Sequence, residues 1–137
     1  MVCFDSAVEF FFQPAGSRFY YNLEVNCIGT VLLYRNCFEN GRKISTPVNG
    51  AILKKIKRHS SLPRDMQYEI TTPTTWYLSL QIPKEVFVSD RHPFSGQVWR
   101  GNVYKCADKT SHPCWLAWKE CGTFHEPETF GSFHFEP

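Results

Sequence analysis

Residues 97–108, QVWRGNVYKCAD, change character at every second position. Trp99, Gly101 and Val103 fall to one side, and Arg100, Asn102 and Tyr104 to the other. A period of two belongs to an extended strand with two unlike faces. One face can bury an indole and a valine against a core. The other aligns a guanidinium, an amide and a phenol, groups that hydrogen-bond and stack but include no nucleophile. The stretch therefore reads as the floor of a binding site for a polar, hydroxyl-rich ligand.

The same alternation recurs upstream. In residues 8–13, Val8, Phe10 and Phe12 can face a core, leaving Glu9 and Gln13 opposite. Pro14, Ala15 and Gly16 make a turn. Residues 19–28 then place Phe19, Tyr21, Leu23, Val25 and Cys27 on one face, and Tyr20, Asn22, Glu24 and Asn26 on the other. Two such runs across a short Pro-Gly loop predict an antiparallel hairpin. After Gly29, residues 30–34 begin a third strand. Residues 35–50 read as irregular, with turns at Asn40-Gly41 and Asn49-Gly50. Residues 51–56 are apolar without a decisive period, and 59–64 read as a loop. Residues 76–82 alternate again, with Trp76, Leu78, Leu80 and Ile82 inward. Pro83 stops that strand, and residues 84–88 read as one helical turn. The run 97–108 follows His92-Pro93 and Gly96. The tail is aromatic and turn-rich, with an edge strand expected at 132–136. No helix of three turns is evident. Short strands divided by turns indicate an all-β fold, an antiparallel β-sandwich, and 137 residues suit one domain with a real core.

A net charge of +2 gives no reason to expect nucleic acid or a membrane surface as a partner. The one basic run, Lys54 to Arg58, reads as a solvated edge. No stretch is long and apolar enough to cross a membrane as a helix, and no signal peptide is read at the N-terminus. Six cysteines at 3, 27, 37, 106, 114 and 121 lack the spacing of a stapled scaffold, and several occupy apolar strand positions. They are expected as reduced, mostly buried thiols, which would suit the cytoplasm. Cys106, His112, Cys114, Cys121 and His125 have zinc-ligand chemistry but no paired ligand spacing. Asp5, Asp90 and Asp108 lack a calcium-loop pattern, and no cofactor or metal is expected.

Four stretches carry a family resemblance: DSAVEFFF at residues 5–12, YYNLEVNCIGT at 20–30, WRGNVYKCADKTSHPCWLAW at 99–118 and FHEPETFGSFHFE at 124–136. In that order they resemble the carbohydrate-binding family 9-like domains, especially the free-standing forms of gut Bacteroidetes. The resemblance implies a β-sandwich that binds sugar on one sheet without catalysis. Members of this kind carry further strands before the segment that matches residues 5–12, so the chain looks N-terminally shortened relative to them. In better-known members two aromatic side chains clamp a terminal sugar. The matching positions fall near Phe4 and at Phe124 and His125, while an arginine that reads sugar hydroxyls there falls near Glu24.

Sugars are recognised by rings that cover their C–H faces and by planar polar groups that bond adjacent hydroxyls. The candidate ligand residues are Glu9, Glu24, Asn26, Arg100, Asn102, Tyr104, Trp118, Phe124 and His125, with Asn22 on the same face by alternation. Trp115 and Trp118 can each stack on a sugar or cap the core; Trp76 and Trp99 read as core. Two other readings stand beside carbohydrate binding. An exposed strand edge could pair with another protein or with a second copy of the chain, giving a homo-oligomer. Glu9 and Glu24 could serve as a glycosidase pair.

Overall fold

The computed structural model describes residues 2–87 and 94–137. Val88, Asp90, His92 and Pro93, which figure in the sequence reading, lie outside the described residues. Among the described residues, one antiparallel sheet holds β1 (Ala7–Gln13), β2 (Tyr20–Asn26), β3 (Val31–Glu39), β4 (Arg42–Pro47), and also the later strands β7 (Val98–Ala107), β8 (Cys114–Ala117) and β9 (Gly131–His134). Its order is β4-β3-β2-β1-β7-β8, with β9 also paired to β7. Between β4 and β7 the chain forms a short helix α1 (Gly50–Leu53) and a two-stranded sheet of β5 (Lys57–Ser60) and β6 (Leu78–Gln81). The result is a β-sandwich with one broad and one narrow layer.

The alternation on β1, β2 and β7 places the apolar sets together. Tyr21, Leu23, Val25, Leu33 and Trp99 are buried on one face, with Phe10 and Phe12 beside them. The narrow layer and its flanks cover this face through Ile56, Leu78, Leu80, Ile82, Val86 and Phe87. Phe87 is the hub. It meets Phe12 (5.7 Å), Tyr21 (5.2 Å), Phe94 (5.8 Å) and Trp99 (5.2 Å), each nearly edge-on. Edge-to-face contact sets the positive rim of one ring against the negative face of the next. The helical turn expected after Pro83 is a 3₁₀ turn, Lys84–Val86.

Several boundaries differ from the sequence reading, each for a physical reason. Residues 35–47 are not irregular: β3 runs on to Glu39 and returns as β4. Asn40 (φ 50°) and Gly41 (φ 73°) both take positive φ, the backbone that a two-residue hairpin turn requires. Every residue of β4 is exposed, so its sequence carries no apolar alternation to betray a strand. Residues 59 and 60 belong to strand β5 rather than to a loop, held by β6 and by the Ser60 hydroxyl, which donates to the Cys27 carbonyl. Asn49 caps α1 by accepting from the Ala51 amide (2.7 Å), which settles residues 50–53 as helical. The basic run flanks buried Ile56, with Lys54, Lys55 and Lys57 in solvent. β8 and β9 are both in the tail, β9 starting one residue before the expected edge strand. All six cysteines are free; Cys37 and Cys106 are buried and the others half-buried.

Candidate functional site

The second face of the broad sheet carries the polar set. Cross-strand register aligns Glu9 with Glu24 on one side and with Tyr104 on the other, and Phe11 with Asn22 and Asn102. Asn36 and Leu32 of β3 extend these rows opposite Tyr20 and Glu24. Residues directly opposite share a face, so one surface holds the carboxylates, amides and phenols.

This face is roofed. The roof is residues 119–130 together with the 3₁₀ turn Val2–Phe4. Phe124 stacks on Tyr104 (4.0 Å between centroids, 15° between planes), and the Tyr104 hydroxyl donates to the Phe124 carbonyl (2.9 Å). His125 lies over Phe11 (4.9 Å), with Nδ1 2.9 Å from the Tyr20 hydroxyl. Phe130 meets both Phe11 and Tyr20 edge-on. Asn102 pins the start of the segment in both directions: its amide donates to the Lys119 carbonyl (2.9 Å) and its oxygen accepts from the Lys119 amide (2.9 Å). Arg100 pins the end, donating to the carbonyls of Glu128 (3.0 Å) and Phe130 (3.3 Å).

Three of the expected ligand residues are therefore occupied in building the site. Nη2 of the exposed Arg100 donates to two carbonyls, Asn102 is fully buried, and the Tyr104 hydroxyl is taken. Asn26 is buried too, donating to Asp5 (2.9 Å) and accepting from the Thr30 amide (2.7 Å). Trp118 is placed elsewhere. Its amide bonds the Val103 carbonyl and its ring packs on Phe133, which pairs with Trp99. That parity sets it on the opposite face of the sheet from Glu9. Trp115 pairs with Cys106 and stands on the polar face instead. A tail read without its strand β8 offers no parity by which to separate the two tryptophans.

Glu9, Glu24, Phe124 and His125 are brought together. A chain of side-chain hydrogen bonds runs from Asn36 to Asn22 (2.8 Å) and from Asn22 to Glu24 Oε1 (2.9 Å). On the other side the Cys106 thiol donates to Glu9 Oε1 (3.0 Å). Glu9 is buried, and Glu24 is the half-buried member that reaches the surface. Burial and the neighbouring Glu9 charge push Glu24 up to about 7. Burial likewise raises Glu9, against the pull of the Cys106 hydrogen bond. Burial, helped by the Lys43 ammonium, drives His125 down to about 4, so its ring is neutral at pH 7. Lys43 draws Glu24 in the opposite direction to Glu9. Burial raises the Cys3 thiol to about 11 and Cys106 further, which leaves both unreactive.

Two clefts adjoin the sheet. One of about 560 Å³ opens beside this face at Asn26, Leu32 and Tyr34. The other, about 950 Å³, lies between residues 62–76 and the ends of β2 and β7, bordered by Lys105 and Trp76. Among the described residues, no cluster of three or more His, Cys, Asp or Glu side chains is arranged to hold a metal.

The sequence profile of carbohydrate-binding family 9 matches residues 1–135. The chain belongs to carbohydrate-binding family 9. A crystal structure of a candidate carbohydrate-binding protein from Bacteroides uniformis ATCC 8492 is similar to this family 9 chain, with a TM-score of 0.86 and 35% identity. The alignment covers 98% of this chain and 63% of the other. None of the curated proteins compared with the chain matches it.

Proposed function

We propose that the chain binds a neutral carbohydrate on the roofed polar face, as a single non-catalytic unit. Glu24 is the directional group, Glu9 stands behind it, and Phe124 and His125 form the wall against which a sugar's C–H face lies. The observation that carries this reading is the convergence of Glu9 and Glu24, directly opposite on β1 and β2, beneath two rings anchored on the same face. The pre-set amide chain behind Glu24 fixes its carboxylate before any ligand arrives, and a preorganised acceptor loses less entropy on binding. Asn102, Arg100 and Tyr104 act indirectly by holding the wall in place.

The two carboxylates lie side by side on one floor. A glycosidase pair must flank the scissile bond, one group on either side of the ring. Glu9 is also buried and bonded to a thiol, which leaves it no access to a water nucleophile. These features favour binding over hydrolysis. The concentration of negative charge from Glu9, Glu24 and Asp108 favours a neutral polyol over a uronic acid.

Calorimetric titration against monosaccharides and oligosaccharides tests the reading. Glu24→Ala is expected to weaken binding at least about thirtyfold, the cost of losing a charge-assisted hydrogen bond. Phe124→Ala is expected to weaken it about tenfold through the lost stacking wall. A Glu24→Ala protein that keeps its fold by circular dichroism and its full sugar affinity would remove Glu24 from the site.

A further inference from the structure

Exposed rings on the sugar face mark where a ligand could extend beyond Glu24. Among the described residues, Phe38 (47% exposed) and Trp115 (59% exposed) are the large exposed aromatics that register places on this face. Phe38 lies six residues along β3 from Leu32, the partner of Glu24, about 20 Å away at strand rise. Trp115 is nearer. It ends the row Asn26–Ala7–Cys106–Trp115, next to the row Glu24–Glu9–Tyr104. Two strand spacings and the two-residue offset between rows put it about 12 Å from Glu9, and three spacings with that offset about 16 Å from Glu24.

Trp115 is held as a platform rather than packed as core. Its indole Nε1 donates to Asp108 Oδ1 (2.8 Å), which fixes the ring while its surface stays open. Trp99, a true core tryptophan in the same molecule, is 2% exposed. Asp108 belongs to the site electrostatically, since its charge acts on Glu9, Glu24 and Cys106 together. Its side chain also hydrogen-bonds the Cys3 thiol, which ties the Trp115 platform to the Val2–Phe4 turn.

We propose that Trp115 and Asp108 form an outer subsite, so that the ligand is an oligosaccharide of neutral sugars running over the roof from Glu24 to Trp115 rather than a single sugar. This rests on the reading of Glu24 as the inner site. The inner carboxylate would take one sugar unit and the Trp115 ring a unit about 16 Å away, with Phe124 between them.

Calorimetry of the full chain with monomers and pentamers of glucose, xylose, mannose and galactose tests this. For the sugar that binds, the pentamer is expected to bind about tenfold tighter than the monomer. Trp115→Ala should erase that gain and leave monomer affinity within about twofold. Trp115→Phe, which keeps a ring but loses the Asp108 bond, should retain part of it. Equal affinity for monomer and pentamer in the unaltered chain overturns the outer subsite alone. So does a gain that survives Trp115→Ala. Absence of binding to any of these sugars overturns the inner-site reading and the outer subsite together.

Discussion

On the proposed reading, Glu24 couples ligand recognition to proton binding. Its carboxyl titrates near 7 because burial and the Glu9 charge both disfavour the anion. A carboxyl raised above its unfolded value binds its proton more tightly in the native state. Its contribution to stability is whole below about pH 4.5 and is lost as pH rises through 7. Glu24→Gln removes this dependence. Relative to the parent chain the variant should gain about 1–2 kcal/mol between pH 5 and pH 8, allowing for a carboxylate that is partly solvated. Urea denaturation at a series of pH values checks this, and a parent–variant difference that stays flat with pH would contradict the assignment. Ligand affinity should run the other way, rising from pH 6 to pH 8 as the stronger, charged acceptor forms. Asn102 is a second residue whose role is specific. Removing its amide in Asn102→Ala breaks both part-buried bonds to the Lys119 backbone, at about 1–2 kcal/mol. The loss should appear first as faster proteolysis within residues 119–130, ahead of global unfolding.

At the scale of elements, legibility followed burial. β1, β2 and β7 each bury one apolar face, so their two-residue period shows in the sequence and puts Glu9, Asn22, Glu24 and Tyr104 on one side. β4 is wholly exposed and β8 nearly so, and neither carries that period. The missing β8 is what misplaced Trp118 and left Trp115 undecided. The roof was also hidden. Residues 119–130 hold to the sheet through backbone carbonyls and amides, which any sequence possesses, and only their two anchors, Asn102 and Arg100, were visible as polar residues without an assigned partner. Those anchors looked like ligand contacts because a side chain shaped to grip a carbonyl is also shaped to grip a hydroxyl. Gly101 shows the same close packing from the other side of β7: a Cβ there would run into the Phe11 carbonyl oxygen and the Phe133 ring. The roof makes Arg100→Ala informative. Freed from Glu128 and Phe130, the wall that bears Phe124 and His125 should loosen. Sugar affinity should then fall about three- to tenfold, through a faster off-rate, although the guanidinium touches no ligand. Stopped-flow dissociation distinguishes this from a lost direct contact, and an unchanged off-rate would argue against it.

Across the whole molecule, β1, β2 and β7 serve two masters at once. One face of each strand builds the sandwich core around Phe87, and the other builds the roofed face, so the same three strands set stability and, on the proposed reading, recognition. The narrow layer reaches the broad sheet largely through Phe87 and its four ring partners. Phe87→Ala should therefore cost about 3–5 kcal/mol, a large share of the 5–15 kcal/mol typical of a domain. Yet the hub is on the far side of the sheet from Glu24, and the roof is tied down by Asn102 and Arg100 independently of it. The protein that remains folded in the Phe87→Ala variant should bind sugar with the affinity of the parent chain, while its melting temperature falls. A matched loss of intrinsic affinity, measured well below the melting transition, would mean that the two faces are not separable and that the site depends on packing transmitted through the strands.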